Sequence, residues 1–313
     1  MSASTVLMNK RNAIKKSRSD RIFDIVNYSL LVIITLVMLY PLYFTVIASI
    51  SDPYEVSMGN VVMLPSGFTL EAYQNVIEEE RIWIGYRNSI YYMVVGTVFN
   101  LLLTIPCGYA WAKKDLPLRK FFTWYLLIPM YFTGGMIPTY LQIKDLGLLN
   151  TPFVLVLVGG ISIYNTIITR SFFQNSIPEE IYESARIDGA NDFRCFFSIA
   201  LPLAKPIIAV IALYYGVTHW NAYFNALLYV SKTDYQPLQL VLRSILLLNE
   251  GALANLDMES ADLDMILEMT RRAYVAQAMK YALIFIASAP LLAVYPFVQK
   301  HFVKGVMIGS VKG

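Results

Sequence analysis

The chain has 313 residues, of which 57% are hydrophobic and only 15% are charged, and its mean hydropathy is +0.51. Soluble domains carry about 25% charged residues, so this composition argues against a compact soluble protein, whose surface would need more charge. The net charge of +3 does not indicate a nucleic-acid partner. Two cysteines and two histidines argue against a disulfide framework or a metal centre in this chain.

Six stretches of at least 19 residues contain no Asp, Glu, Lys or Arg: residues 25–51, 88–112, 121–143, 146–169, 206–231 and 281–299. A hydrocarbon core about 30 Å thick needs roughly 20 apolar helical residues. Only helices and closed barrels satisfy all their backbone hydrogen bonds in lipid. Barrel strands need only ~9–11 residues, so these stretches are too long for them. The sequence therefore predicts an all-α membrane protein with six transmembrane helices. We expect the first stretch to remain in the protein, because it is longer than a signal-peptide core.

The orientation of these helices follows from the distribution of Lys and Arg. With the N-terminus inside, 17 of the 25 Lys and Arg residues fall on cytoplasmic segments. The positive-inside rule then predicts that both termini are cytoplasmic. This gives an N-terminal tail over residues 1–24, a transmembrane domain over 25–303 and a C-terminal tail over 304–313. Residues 52–87 and 232–280 become outer segments, the first with a short helix at 70–77 and the second with an apolar stretch, 238–248, too short to span.

The cytoplasmic loop over residues 176–202 carries signals for two short helices. Ser176 followed by Glu179 is a capping-box pattern for a helix over 179–187, and Gly189 is placed to end that helix. Asn191 can cap a second helix that runs to about residue 197. We expect the pair to lie at the membrane surface, joined by a glycine turn.

This loop is expected to have a polar face and an apolar face. The polar face carries Glu183, Arg186 and Asp188. The apolar face comprises Ile181, Tyr182, Ala185, Phe193, Phe196 and Phe197. Apolar bulk at a surface needs either lipid headgroups or a protein partner. Five acidic against four basic residues over 170–205 favour a protein.

The loop also carries a recognisable motif. Glu183-Ser-Ala-Arg-Ile-Asp-Gly189, with Ile199-Ala-Leu-Pro202 downstream, resembles the EAA loop of ABC importer permeases, with Ser184 in place of the first Ala. The variant is similar to that of maltose-permease-like carbohydrate importers. Residues 68–73, 146–151 and the Trp220-Asn221 pair resemble the same family. The ending from Tyr295 to Gly313 resembles a Gram-positive subgroup associated with complex oligosaccharides.

The resemblance implies a type I ABC importer permease fold and a set of partners. These are a second homologous permease, two ATPase subunits, an external solute-binding protein and membrane lipid. It implies that the loop forms coupling helices that dock on the ATPase, with Glu183 facing an ATPase arginine, Gly189 forming the turn and Ala185 allowing close approach. Arg186 and Asp188 complete the coupling set. Residues 305–313 resemble a tail that reaches the ATPase dimer interface.

The chain has no Gly-x-x-x-x-Gly-Lys-Ser/Thr loop for phosphate. ATP and Mg are therefore expected on the partner ATPases, and this chain is expected to hold no cofactor and to catalyse no reaction. Outside its motif, Glu183 would also be compatible with an ordinary solvated helix position.

The fifth apolar stretch is rich in side chains that could contact a sugar. Trp220, Asn221 and Tyr223 are the main candidates for a substrate path, and Tyr215 and His219 are weaker ones. Helical spacing places Tyr215, His219 and Tyr223 on one face. The same residues could instead pack between helices or form an interfacial belt. The uncharged stretch fits a neutral solute. Gly134-Gly135 and Gly159-Gly160 could permit close helix contact or break helices.

Other functional classes are less well supported. A secondary transporter should carry intramembrane carboxylates, and the six stretches contain none. An intramembrane enzyme should show paired acids, a zinc motif or a serine–histidine pair, and His219 is the one candidate base. A permease for a non-sugar solute remains the alternative. The sequence favours a sugar importer permease that works by alternating access.

Overall fold

The computed structural model describes residues 17–254 and 263–310, and the regular structure of this part of the chain is helical throughout. Residues 1–16 of the predicted tail 1–24, and residues 311–313 of the predicted tail 304–313, lie outside the described residues. In chain order the helices are α1 Arg18–Ser49, α2 Pro53–Ser57, α3 Glu71–Glu78, α4 Glu80–Ala112, α5 Arg119–Tyr131, α6 Met136–Asp145, α7 Val154–Leu157, α8 Ile163–Ser176, α9 Glu179–Ile187, α10 Asp192–Arg194, α11 Leu201–Leu203, α12 Lys205–Trp220, α13 Phe224–Tyr229, α14 Leu238–Ala254 and α15 Leu263–Ser310. A π-helical segment, Cys195–Ala200, joins α10 to α11.

Three of the described helices are long and apolar enough to cross a membrane: α1, α4 and the part of α15 over Thr270–Ala293. A fourth is obtained if Asp192–Leu203 and α12, which meet at an angle of 77°, are counted as one bent span. These helices contain the predicted spans 25–51, 88–112 and 281–299, apart from the last two residues of the first. α1 begins earlier than predicted because Ser17 and Asp20 form a capping box at its N-terminus.

The other three predicted spans are broken helices. Residues 121–143 divide into α5 and α6 around Gly135, which has φ +87°, and residues 146–169 divide around Gly159, which has φ +76°. Both values lie in the left-handed region that glycine adopts without steric cost. The two glycine pairs therefore act as helix breaks. Residues 206–231 divide between α12 and α13, so Tyr223 lies beyond the end of α12. The prediction that Tyr215, His219 and Tyr223 share one helix face is wrong for this reason.

α4 lies at the centre of the described fold and packs against α8, α12 and α14. Its buried face is a stripe with four-residue spacing, made of Asn88, Tyr92, Gly96, Asn100, Thr104 and Gly108. Two small members of the stripe allow close approach. A Cβ on Gly96 would lie 2.5 Å from the His219 ring, and one on Gly108 would lie 2.6 Å from Thr169. Helical periodicity thus places one polar and small-residue face of α4 against its neighbours.

The two segments predicted to lie outside are folded against this centre. α3 confirms the short helix predicted at 70–77, and α14 covers the apolar stretch predicted to be too short to span. α14 packs through Leu238, Val241, Leu242 and Ile245 into a core shared with α4 and α15. The backbone N–H of Leu238 donates to Ser89 Oγ on α4 at 2.8 Å. α14 is consequently part of the transmembrane core's packing.

The outside of α1 and α5 is strongly apolar. Most large side chains from Ile22 to Leu42 on α1 are exposed, as are Phe121, Trp124 and Tyr125 on α5. Contiguous apolar surface of this extent requires lipid or protein to cover it. The exposed surface therefore agrees with a protein embedded in a membrane.

Candidate coupling surface and polar cavity

The predicted glycine turn forms the end of α9. Gly189 has φ +80°, and its N–H donates to the carbonyl of Arg186 at 3.0 Å. The N–H of Ala190 donates to the carbonyl of Ala185 at 2.9 Å. This pair of bonds is a Schellman motif, which requires the left-handed residue that glycine supplies. A Cβ on Gly189 would meet no atom within 4 Å, so the need for glycine arises from the backbone alone.

Of the two N-terminal caps predicted in this loop, the one for α9 is wrong and the one for α10 is confirmed. The capping box predicted from Ser176 is wrong: Ser176 is the last residue of α8, and Pro178 precedes α9 without a side-chain cap. Ser176 thus belongs to the end of α8, whereas the sequence pattern assigned it to the start of α9. Asn191 does cap α10, because its Oδ1 accepts from the N–H of Arg194 at 2.9 Å. Helical structure then continues past the predicted end at 197, through the π-helical segment into α11.

The candidate coupling loop, residues 176–202, exposes its predicted polar face at Glu183, Arg186 and Asp188, and the turn residue Gly189 is exposed as well. The predicted apolar face divides into two parts. Tyr182 and Phe196 are buried and Ala185 is half-buried, whereas Ile181, Phe193 and Phe197 are exposed. Ile187, which the sequence did not assign to either face, is 87% exposed. The loop therefore has an inner anchor and an outer apolar surface without a partner among the described residues.

The inner anchor is an aromatic cluster at the end of α4. The Tyr182 ring centroid lies 6.1 Å from that of Tyr109, and Phe196 lies 5.0 Å from Tyr109. Lys113 Nζ sits 3.5 Å from the centroid of the Tyr182 ring. Burial raises the pKa of Tyr182 and lowers the pKa of Lys113. The cluster fixes α9 against the C-terminal end of α4 by close packing.

Ion pairs join the same two regions at the surface. Lys114 Nζ lies 2.5 Å from Glu179 Oε2, and Arg186 lies 3.0 Å from Asp115 and 3.3 Å from Asp192. The hydrogen bond from Arg186 holds the pKa of Asp115 below its usual value. Such exposed pairs contribute at most about 1 kcal/mol each, so they orient α9 more than they stabilise it. Sequence reasoning missed residues 113–115, because their partners lie 65 or more positions away.

Arg186 is thus engaged within the chain, while Glu183 and Asp188 form no ion pair with any residue that the structure describes. This leaves the two carboxylates on the outer surface of the loop. Of the five predicted coupling residues, Glu183, Asp188 and Gly189 face outward, Ala185 is half-buried, and Arg186 braces the loop.

A cavity of about 830 Å³ lies beside α12 and the break between α7 and α8. Within the described part of the chain, its lining is aromatic and amide-rich and contains no Asp, Glu, Lys or Arg. It includes Asn100, Ser162, Tyr164, Asn165, Tyr214, Tyr215, Thr218, His219, Asn221, Tyr223, Phe224 and Asn225. Four of the five predicted path residues line it. Trp220 instead lines an adjoining cavity of about 440 Å³, which Asn221 and Tyr223 also line. The fold therefore brings the predicted path residues together around two neighbouring cavities.

Asn100 on α4 closes the wall of the larger cavity. Its Nδ2 donates to the carbonyls of Gly160 at 2.7 Å and Gly159 at 3.3 Å, which the helix break leaves without helical partners. Its Oδ1 lies 2.6 Å from His219 Nε2. Since the amide nitrogen faces two acceptors, the oxygen faces His219, whose Nε2 then donates. His219 is held in the wall by this bond.

Tyr215 is held in a similar way. Its hydroxyl lies 2.7 Å from Thr104 Oγ1 and accepts from the N–H of Ser162 at 2.9 Å. Trp220 is 1% exposed, and its Nε1 donates to the carbonyl of Ala287 at 3.1 Å. These hydrogen bonds, with the one between His219 and Asn100, hold Tyr215, His219 and Trp220 in the packing of the fold. The side chain of Asn221 is exposed and that of Tyr223 is half-buried, so these two are the most accessible of the predicted path residues.

Comparisons with known proteins agree on one family. The family model described as "Binding-protein-dependent transport system inner membrane component" matches residues 82–308. The polygalacturonan/rhamnogalacturonan transport system permease protein YtcP of Bacillus subtilis is 37% identical, over 94% of this chain and 99% of its own length. Protein LplC of the same organism is 38% identical, over 98% of this chain and 100% of its own length.

A solved structure has the same fold. A chain from a bacterial ABC transporter involved in the import of the acidic polysaccharide alginate superposes with a TM-score of 0.81 and 34% identity. The match covers 93% of this chain and 100% of that chain. These findings confirm the resemblance to ABC importer permeases that the EAA-like loop indicated. The chain is a membrane-embedded transport subunit of an ABC importer, and it has no reaction of its own to catalyse. The chain belongs to the family of binding-protein-dependent transport system inner membrane components.

Proposed function

We propose that this chain translocates an oligosaccharide across the plasma membrane by alternating access and receives its driving force through the coupling loop. The observation that supports this most directly concerns α4. Its middle lines the polar cavity at Asn100 and holds the lining residue Tyr215 through Thr104, and its cytoplasmic end, at Tyr109, packs against the coupling loop. One continuous helix therefore connects the two sites that an importer permease must couple.

The arrangement in the membrane follows from charge and hydropathy. We infer six spans with both termini inside, three of them built from broken helices. The excess of Lys and Arg on the inner segments supports this orientation. The 77° bend between Asp192–Leu203 and α12 supports a coupling loop that lies along the membrane surface.

The partners follow from the family and from the exposed surfaces. A second homologous permease and lipid would cover the apolar outside of α1 and α5. Two ATPase subunits, which bind ATP and Mg, would contact Glu183, Asp188 and the exposed Ile187 and Phe193. An external binding protein would deliver the substrate.

A sugar substrate is supported by the cavity and by the relatives. Aromatic rings stack on the apolar faces of sugars, and amide side chains bind hydroxyls, so an uncharged lining of both kinds fits an oligosaccharide. YtcP is named for polygalacturonan and rhamnogalacturonan, and the solved neighbour for alginate. Among the path residues, we assign direct substrate contact to Asn221 and Tyr223. Tyr215, His219 and Trp220 support the wall of the path.

The coupling assignment is tested by Glu183→Ala, with Glu180→Ala as the matched control, since both are exposed acids on α9. Loss of a charge-assisted contact across a partly desolvated interface costs about 2–5 kcal/mol, so we expect Glu183→Ala to abolish uptake into proteoliposomes and sugar-stimulated ATP hydrolysis. Membrane insertion should be normal in both variants. Equal uptake by the two variants would contradict the assignment of Glu183.

A further inference from the structure

Among the residues that the structure describes, one cation faces the smaller of the two cavities. Arg243 lies on α14, is exposed, and its guanidinium carbon is 4.5 Å from the centroid of the Tyr223 ring. No carboxylate of the residues described by the structure forms an ion pair with it. A guanidinium stacked on an aromatic face keeps its N–H donors, which lie in its plane, free for a ligand. Sequence reasoning assigned Arg243 to the outer segment, whereas the packing of α14 brings it to the cavity.

The surroundings of Arg243 are suited to a polar ligand. The cavity is also lined by Gln239, one helical turn before Arg243 on the same face of α14, and by Asn221, and its other walls are largely apolar. Asn221 and Tyr223 line the larger cavity too, so the two cavities meet at these residues. A chain of sugar units that occupied the larger cavity could place one unit against Arg243.

We propose that Arg243, with Gln239 and Asn221, binds the carboxylate of a uronic-acid unit, so that the imported oligosaccharide is acidic. This inference rests on the proposed function and narrows its substrate class. A guanidinium binds a carboxylate through two parallel N–H···O bonds, a planar match that gives both orientation and strength. One arginine balances one carboxylate. A phosphate group carries up to two charges, and the described lining of the two cavities contains one cation to balance them. The geometry therefore points to a sugar acid.

The test uses the complete transporter with its own binding protein in proteoliposomes. Uptake of an oligogalacturonate is compared with uptake of its carboxyl-reduced, neutral counterpart. The variants are Arg243→Gln, Arg243→Lys and the control Lys232→Gln, which removes an exposed cation outside both cavities. Every variant is measured with the same binding protein, so that protein's own preference cancels in the ratio to wild type.

We expect Arg243→Gln to raise KM for the oligogalacturonate by roughly tenfold or more, as for the loss of a charged hydrogen bond. Uptake of the neutral oligosaccharide should be unchanged. Arg243→Lys should fall between wild type and Arg243→Gln, because lysine keeps the charge without the planar fork. Lys232→Gln should match wild type for both sugars.

Three results would overturn the inference. The first is unchanged uptake of the oligogalacturonate by Arg243→Gln. The second is an equal loss for both oligosaccharides, which would make Arg243 a structural residue of the assembly. The third is a wild-type transporter that imports the neutral oligosaccharide and rejects the acidic one, which leaves the proposed function intact. Import of neither sugar would contradict the proposed function itself, and the inference with it.

Discussion

The absence of a side chain at Gly96 determines how closely α4 and α12 approach at the cavity wall. The His219 ring occupies the space where a Cβ on Gly96 would stand, 2.5 Å from two ring atoms. That position lets His219 reach Asn100, which in turn binds the carbonyls freed by the break at Gly159 and Gly160. The small size of Gly96 thus permits the polar contact among α4, α12 and the break between α7 and α8.

Gly96→Ala tests this arrangement, with Gly216→Ala on α12 as its control. The new methyl group on Gly96 would displace His219, and overpacking of this kind costs typically 1–3 kcal/mol of unfolding free energy. A Cβ on Gly216 would meet its nearest atoms at 3.8 Å, which is ordinary contact. We expect a lower Tm of the purified complex for Gly96→Ala alone, measured by thermal unfolding in detergent. Equal Tm values for both variants would show that His219 does not depend on Gly96.

Asn221 and Trp220 are adjacent in sequence but are expected to respond differently to substitution. Asn221→Ala removes an exposed amide at the junction of the cavities, so we expect a higher KM for uptake with an unchanged Tm. Trp220→Ala removes a fully buried ring, and Trp→Ala changes in a core cost about 3–5 kcal/mol, so its Tm should fall. Normal uptake kinetics in Asn221→Ala would remove that residue from the path.

At the scale of the element, the turn between α9 and α10 allows the effect of backbone conformation to be tested separately from side-chain contacts. Gly189→Val introduces no clash at Cβ but places a β-branched residue at φ +80°, where the left-handed conformation costs roughly 1–2 kcal/mol. Asparagine tolerates this region far better. We expect Gly189→Val to lose the ATPase subunits in a detergent pull-down and Gly189→Asn to retain most of them. Both variants should reach the membrane normally, and identical recovery would contradict a role for the turn.

Features that depend on neighbouring residues are predicted well from the sequence, whereas features that depend on packing between distant segments are not. Gly189 and Asn191 act within four residues of their own position, so their roles could be recognised in the sequence. Ser176 was misassigned because two helices compete for it. The break at Asn221 and Tyr223 carries no glycine or proline signal, so periodicity extended α12 too far. Arg243 could not be placed at the cavity, since its contact with Tyr223 depends on how α14 packs.

At the scale of the whole molecule, hydropathy located the apolar runs, but it could not show which helix lies at the centre. That position belongs to α4, and its buried stripe of polar and small residues is recognisable as a helical repeat once the partners are known. The ion pair between Lys114 and Glu179 joins residues 65 positions apart in the sequence, so only the fold brings them together.

The proposed orientation predicts which surfaces an impermeant maleimide reaches in intact cells. In a background with Cys107 and Cys195 replaced, Met63→Cys should react from outside, and Asp188→Cys should react only after permeabilisation. Both positions are exposed in the fold, so access to each depends on the side of the membrane. Uptake by the cysteine-free background serves as the control for its integrity. Reaction of Asp188→Cys in intact cells would contradict cytoplasmic placement of the coupling loop.

α4 also has a mechanical consequence. With 33 residues it is about 50 Å long, and the hydrogen bonds parallel to its axis make it stiff. Pro106 removes one of those bonds, because it has no N–H to donate to the carbonyl of Leu102. The helix therefore lacks one stabilising bond at a place between the cavity wall at Asn100 and the end that packs on the loop at Tyr109. Pro106 also lines a cavity of about 250 Å³ together with Phe193, Phe196 and Phe197 of the loop. A change at this one position would therefore alter both the stiffness of the helix and its contact with the loop.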